Sequence, residues 1–321
     1  MDTLAVVYRP RPLSRALFPV LLLGIGLLLS GCQTSSQESA GAQVAPPSPE
    51  HYRDFSNADS LASYLRSAPT PLVGAHRGGP AEGFPENATQ TFAHALTHGP
   101  VLIESDVRMT EDSVLVLMHD ETLNRTTTGR GPVGEHTLRE VRSVQLLAGD
   151  TPTRFEVPTL AEALAWAEGR AVLQLDVKDD VPRPQVVEAL RHHAALDQAL
   201  VITYSLADAR WYHQRLPRLI LSASAESRTE AEALVEQIDP SRLVGWVGVG
   251  EVPSGPTEVF ASHGVPVAVG TFGAVDRQAR RQGLAVYHQL FDRGVDLIAT
   301  DETALARQAA DTYRRYGATS D

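Results

Sequence analysis

Cysteine and lysine are nearly absent from this chain, which has one of each among 321 residues. A single thiol, Cys32, excludes an internal disulfide framework, a thiolate metal cluster and a Cys-x-x-Cys redox pair. Arginine replaces lysine almost everywhere, because the 28 basic side chains include one lysine, Lys178. Its survival two residues after Asp176 suggests that a compact ammonium is needed there. An excess of positive charge is lacking too. The formal charge is −11, which argues against nucleic acid or an anionic bilayer surface as an electrostatic partner. With 43% hydrophobic and 21% charged residues, the chain is globular, large enough for one sizeable core or two modest ones.

The N-terminus stands apart from that core. Arg9, Arg11 and Arg15 precede an apolar run from Ala16 to Leu29, and Leu29-Ser30-Gly31-Cys32 follows, the pattern of a secretory signal ending at small residues. This stretch resembles a bacterial lipoprotein lipobox. The resemblance implies a signal peptide over 1–31 and a lipidated, palmitate-bearing Cys32 with no thiol left to react. Removing three arginines and Asp2 with the signal takes the formal charge from −11 to −13. Residues 33–50 are rich in Ser, Ala, Gln and Pro without hydrophobic periodicity, so 32–55 is expected to be a flexible tether and 56–321 the folded domain. Gln33 after the cysteine suits the outer membrane, facing the periplasm, by analogy with Gram-negative sorting.

From residue 70 onward, strand-like and helix-like segments alternate. Strands are expected at 72–76, 101–106, 114–119, 171–177, 199–204, 218–222, 243–248, 265–270 and 295–300. Amphipathic helices are expected at 87–97, 160–168, 183–194, 207–215, 228–238 and 274–293. Repeated strand–helix units imply an α/β fold with a parallel sheet inside a layer of helices. Eight such strands close a barrel, and nine segments qualify, so 243–248 is expected to be an extra strand or no strand at all. Residues 121–157 break the rhythm with Thr126-Thr127-Thr128-Gly129 and Gly131-Pro132, a short insertion after the third strand, expected over the barrel mouth as a loop or a substrate lid.

Chemistry-bearing residues recur where these strands end. Glu104 and Asp106 are two apart, so both carboxylates project from one face and can share a hard cation. Asp176 and Lys178 repeat that spacing, adding a third oxygen ligand and an ammonium able to contact a phosphate oxygen. Oxygen ligands without thiolates or a histidine cluster favour Mg²⁺ or Ca²⁺ over zinc. His76 and His119 end two other strands and can act as a general acid and base, while Arg77 can neutralise a phosphoryl oxygen. The remaining histidines lie on expected helices or outside motifs and are read as surface or packing residues. Together this is a metal-assisted phosphodiester site.

The motifs also carry a family resemblance. Ala75-His76-Arg77-Gly78, Pro85-Glu86-Asn87, Glu104-Ser105-Asp106, Met118-His119-Asp120, Leu123-x-Arg125-Thr126-Thr127, Val157-Pro158-Thr159-Leu160 and Gly294-Val295-Asp296 with Thr300-Asp301 resemble the bacterial glycerophosphodiester phosphodiesterases. The resemblance implies a TIM-type (β/α)8 barrel and hydrolysis of glycerophosphodiesters to glycerol 3-phosphate and an alcohol. It places His76 and His119 at the acid and base positions, Arg77 on the phosphate, and Glu104, Asp106 and Asp176 around one divalent cation. No protein partner is implied.

Departures from the family pattern bear on substrate and affinity. Asp176 stands where glutamate is usual and is about one methylene shorter, so the cation is expected to shift or take a water. Val269-Gly270-Thr271-Phe272 replaces a common tryptophan motif, which is expected to remove bulk from the pocket wall. Thr203-Tyr204-Ser205 replaces a common Ser-Phe pair, and Asn87 is expected to cap the helix that follows it, positioning the loop. Two alternatives stay open beside the hydrolase: phospholipase D or lyase-type action on intact lipid, which should show an apolar rim, and an idle phosphodiester-binding envelope lipoprotein.

Overall fold

The computed structural model describes residues 48–313. The expected signal peptide, Cys32 and tether residues 32–47 therefore lie outside the described residues. Strands follow in chain order as β1 (Leu72–Ala75), β2 (Leu102–Met109), β3 (Leu115–Leu117), β4 (Leu147–Ala148), β5 (Thr151–Pro152), β6 (Val172–Val177), β7 (Ala199–Thr203), β8 (Ile220–Ser224), β9 (Leu243–Val249), β10 (Val267–Gly270) and β11 (Leu297–Thr300). Eight of them, β1, β2 and β6 to β11, pair in parallel, and the β1–β2 register Gly74 to Leu102 closes the ring. Helices cover its outside, giving the TIM-type barrel.

The strand count needs one correction. Segment 243–248, expected to be an extra strand or none, is barrel strand β9, paired on both sides. The ninth segment is instead 114–119. β2 outruns the ring, and the chain reverses through Thr110–Ser113 so that β3 pairs antiparallel to its overhang, Val107 with Leu117. An antiparallel return needs only a short turn, so nothing forces this strand into the parallel ring. The expected helix 274–293 is likewise two, Ala274–Gln282 and Ala285–Asp292, because Gly283 adopts φ 84° and ends the first.

Period-two alternation explains how the barrel presents chemistry. Each barrel strand contributes one apolar side chain to a floor: Leu72, Leu102, Val172, Leu200, Ile220, Val244, Ala268 and Leu297. The helix Ala58–Ser67 plugs that floor with Leu61, Ala62 and Leu65. Its start is fixed by Asn57, whose side chain accepts from the Asp59 and Ser60 amides. Fully burying each leucine, isoleucine or valine of this layer contributes about 1.5–3 kcal/mol. Two residues further along β2 and β6 the same inward positions read Glu104 and Gln174, and two further Asp106 and Asp176, paired in register. An apolar floor thus gives way to a polar mouth.

The insertion folds around a core of its own. Leu123, Val133, Val141, Leu146, Phe155 and Val157 pack with Met118 and with Phe84 and Ala88 of the loop after β1. Preceding the domain, His51 Nδ1 lies 2.7 Å from the Leu96 carbonyl and the Arg53 amide donates to Arg170, so 49–55 is held against the barrel.

Candidate active site

At the mouth, Glu104, Asp106 and Asp176 bring ligand oxygens within 4.8 Å of one another, all three buried. Asp176 meets the other two despite its shorter side chain. Lys178 Nζ lies 2.6 Å from both Asp106 Oδ1 and Asp176 Oδ2, so the ammonium expected at a phosphate oxygen braces this cluster. The Tyr204 hydroxyl donates to Asp176 Oδ1 at 3.0 Å. Burial, then the neighbouring Asp106 charge, pushes the Glu104 carboxyl well above its usual range. Burial opposes ionisation of Asp106 as well, yet Lys178 and Asn87 hold it below its usual range. Three carboxylates against one ammonium leave an excess of buried negative charge that a divalent cation would offset, and an all-oxygen donor set suits a hard ion.

Both candidate imidazoles are oriented in the same way. His76 Nδ1 lies 2.7 Å from Asp301 Oδ1, and His119 Nδ1 lies 2.8 Å from Asp120 Oδ1. A carboxylate only accepts, so each Nδ1 carries the proton and each Nε2 is left for chemistry. Asp301 is placed by Asp276, which is buried and accepts from the Asp301 amide at 2.8 Å, the Thr300 hydroxyl at 2.9 Å and the Tyr287 hydroxyl at 2.8 Å. Asp120 is placed by Arg125, whose guanidinium grips both its oxygens at 2.7 and 2.8 Å and both oxygens of Glu86 at 2.8 Å. Arg125 holds the Asp120 carboxyl far below its usual range. Glu86 in turn accepts from Arg77 Nη1 at 3.2 Å, so one chain of ion pairs joins the candidate phosphate contact to His119. Arg77 Nε is buried without a protein partner.

Asn87 is not a helix cap. The next helix, Thr89–Ala95, has Ala88 at that position and no side-chain cap bond. Asn87 instead donates to Asp106 Oδ2 at 2.7 Å and accepts from the Asp106 amide at 2.9 Å, buried and with φ 58°. The left-handed conformation, tolerated by asparagine, turns the side chain inward rather than onto its own helix. The Arg77 amide, also at positive φ, donates to Glu104 Oε2 at 2.6 Å. The loop after β1 is therefore fastened to both β2 carboxylates.

The expected loss of bulk at Gly270 does not occur. Phe272 stacks on His76 at 4.3 Å between centroids, and Trp246 of β9 lies behind it at 6.5 Å, nearly parallel. A Cβ at Gly270 would meet Phe272 at 2.8 Å and Trp246 at 2.9 Å. Glycine leaves the space that these rings fill. Glu86, Asp120, Arg125 and Asp301 lie within the motifs but carry no role legible from sequence, and Asn87 has a different role from the expected cap.

Comparison with known proteins agrees with this geometry. The model of the glycerophosphoryl diester phosphodiesterase family matches residues 76–305. A glycerophosphodiester phosphodiesterase of Bacillus altitudinis is 31% identical over 162 residues, 46% of this chain and 64% of that protein. The chain thus spans less than two thirds of that relative's length, and 57% of an uncharacterized relative from Bacillus subtilis. A glycerophosphoryl diester phosphodiesterase structure from Parabacteroides distasonis superposes with TM-score 0.77 at 29% identity, over 83% of this chain and 95% of that one. An Oleispira antarctica phosphodiesterase, solved with the product sn-glycerol-3-phosphate, shares the fold at TM-score 0.58 and 21% identity, over 76% of this chain and 98% of that one. With eight parallel strands delivering these motifs to one mouth, the chain belongs to the glycerophosphoryl diester phosphodiesterase family.

Proposed function

We propose that this protein is a metal-dependent phosphodiesterase that hydrolyses glycerophosphodiesters to glycerol 3-phosphate and an alcohol, held to a bacterial outer membrane by lipidated Cys32. The observation that carries the reaction is the pair of aspartate-oriented histidines beside the buried carboxylate cluster. Arg77, next to His76, binds Glu104 through its amide, and Met118, next to His119, binds the Asp106 carbonyl through its own. Family membership and relatives named for this activity support the same reading.

Glu104, Asp106 and Asp176 would hold one Mg²⁺ or Ca²⁺, which supplies charge neutralisation at the phosphoryl oxygens when bound. One imidazole, neutral at Nε2, takes a proton from the attacking water as its oxygen bonds to phosphorus. The other, protonated, gives its proton to the alkoxide as the bond from phosphorus to that oxygen breaks. Asp301 and Asp120 fix the ring orientations and stabilise whichever imidazolium is present. Arg77 Nε, without a protein partner, is available to a phosphoryl oxygen. Lys178 holds Asp106 and Asp176 in register against their mutual repulsion.

The membrane anchor is supported by the N-terminal sequence and tested by whether Cys32→Ser abolishes palmitate labelling and releases the protein from membranes. For the reaction, the soluble domain is incubated with glycerophosphocholine, glycerophosphoethanolamine and bis-p-nitrophenyl phosphate in EDTA, Mg²⁺ or Ca²⁺. Metal-restored release of glycerol 3-phosphate is expected, with turnover lowered about 10²-fold or more in His76→Ala and His119→Ala. Absence of turnover with every substrate and metal overturns the proposal. The exposed large hydrophobic side chains among the described residues are Tyr204 and Val249.

A further inference from the structure

Those two side chains line the same cavity, a space of about 820 Å³ at the carboxyl ends of β7, β8 and β9. Tyr204 is 63% and Val249 50% exposed, a confinement that marks a place where apolar surface is kept open. The Trp246 indole forms another wall. The cavity adjoins the candidate active site through two shared elements: Tyr204, bonded to Asp176, and Trp246, stacked behind the Phe272 that covers His76.

The lining also has a sign. It contains Glu226 and Glu230 and no lysine, arginine or histidine. Glu230 is committed to the start of the helix Arg228–Gln237, where its Oε2 accepts from the Glu226 and Ser227 amides. The Glu226 carboxylate makes no ion pair or hydrogen bond. Ser224 Oγ, buried in the same wall, has no protein partner. Two aromatic rings, an uncommitted carboxylate and a spare hydroxyl, next to a site that takes an anion, are complementary to an alkylammonium and poorly suited to a second anion.

We propose that this cavity is the subsite for the leaving alcohol and that it selects a cationic alcohol, with the ammonium against Tyr204 and Trp246 and its charge faced by Glu226. The assignment deepens the phosphodiesterase reading and rests on it for the word leaving; the ligand chemistry stands without it. Two measurements separate the two. First, binding of choline to the full domain is compared with its neutral isostere, 3,3-dimethylbutan-1-ol, by titration calorimetry. Choline is expected to bind about 5- to 30-fold more tightly, and Trp246→Leu and Glu226→Gln are each expected to erase most of that difference. Equal binding of the two, which would indicate an apolar occupant, or no binding of either, overturns the cationic subsite whether or not the protein is an enzyme. Second, kcat/KM is compared for glycerophosphocholine and the neutral-alcohol diester glycerophosphoglycerol. The wild-type ratio is expected to favour choline and to fall toward one in Glu226→Gln through KM. Turnover with an unchanged ratio overturns the placement of the alcohol, while choline binding without any turnover overturns the phosphodiesterase reading alone.

Discussion

Removing the Asn87 side chain should destabilise the domain by about 3–5 kcal/mol, although it holds neither the charge nor the chemistry of the site. Two bonds are lost: the donor to Asp106 Oδ2 at 2.7 Å and the acceptor for the Asp106 amide at 2.9 Å. A hydrogen bond to a charged group contributes about 1.5–3 kcal/mol, and a buried amide left unpaired costs about 1–3 kcal/mol. Asp106 is 2% exposed, so solvent cannot replace either partner without opening the loop. Asn87→Gly is the variant of choice because glycine accepts the φ of 58° found here. Asn87→Ala adds a left-handed backbone cost of about 1–2 kcal/mol, so the difference between the variants isolates that term. Urea unfolding of the domain in EDTA reads the loss, and a thermal midpoint lower by about 6–15 °C should accompany it. Repeating the titration with Mg²⁺ should show less stabilisation by the cation in Asn87→Gly than in wild type, because Asp106 is no longer anchored. If Asn87→Gly unfolds within about 0.5 kcal/mol of wild type, the clamp on Asp106 contributes nothing and the reasoning fails.

Arg125→Met should lower kcat by between about 10- and 100-fold by releasing Asp120, and so His119, from its brace, with partial recovery in Arg125→Lys; unchanged kinetics would show that the brace is decorative. The same variant changes acid stability. Asp120 is held below its ordinary 3.8 by Arg125, so it stabilises the fold above 3.8 and that contribution is lost as pH falls through its depressed value; without Arg125, acid unfolding monitored by fluorescence should shed this contribution. Gly270→Ala should cost about 1–3 kcal/mol through contacts under 3 Å with Phe272 and Trp246, and should raise KM by displacing the ring stacked on His76; full activity would refute the packing argument. His94 is held below its ordinary 6.5, first by burial and then by His98, and its ring stacks on Phe84 at 4.0 Å. A depressed histidine loses stability as pH falls below 6.5, so the fall in urea midpoint between pH 7.5 and about 5.5 should be smaller in His94→Gln than in wild type.

Much of the site was legible because strand geometry is simple. Side chains two apart share a face, so Glu104 with Asp106 could be placed together from spacing alone, and the ends of apolar runs located His76 and His119 at the mouth. The parallel sheet and most helix starts followed from periodicity, whereas Asn87 is not the cap it was expected to be. The roles of Asn87, Arg125 and Asp301 did not, since each depends on a partner 19, 5 or 225 positions away, and only the Asp120 partner of Arg125 is near in sequence. Segments 114–119 and 243–248 look alike as apolar runs. Closure of the ring, which needs eight parallel neighbours, decided that the second belongs to the barrel and the first pairs antiparallel outside it. Gly270 shows the same division. A glycine in a strand reads as missing bulk, yet rings from β9 and from the turn after β10 occupy that space. Composition and local periodicity determined the elements and their chemical cargo, because both act over a few residues. Tertiary structure alone decided which carboxylate meets which ammonium, how each imidazole is turned and where a cavity stays open, because those outcomes depend on distances between strands that sequence spacing does not encode.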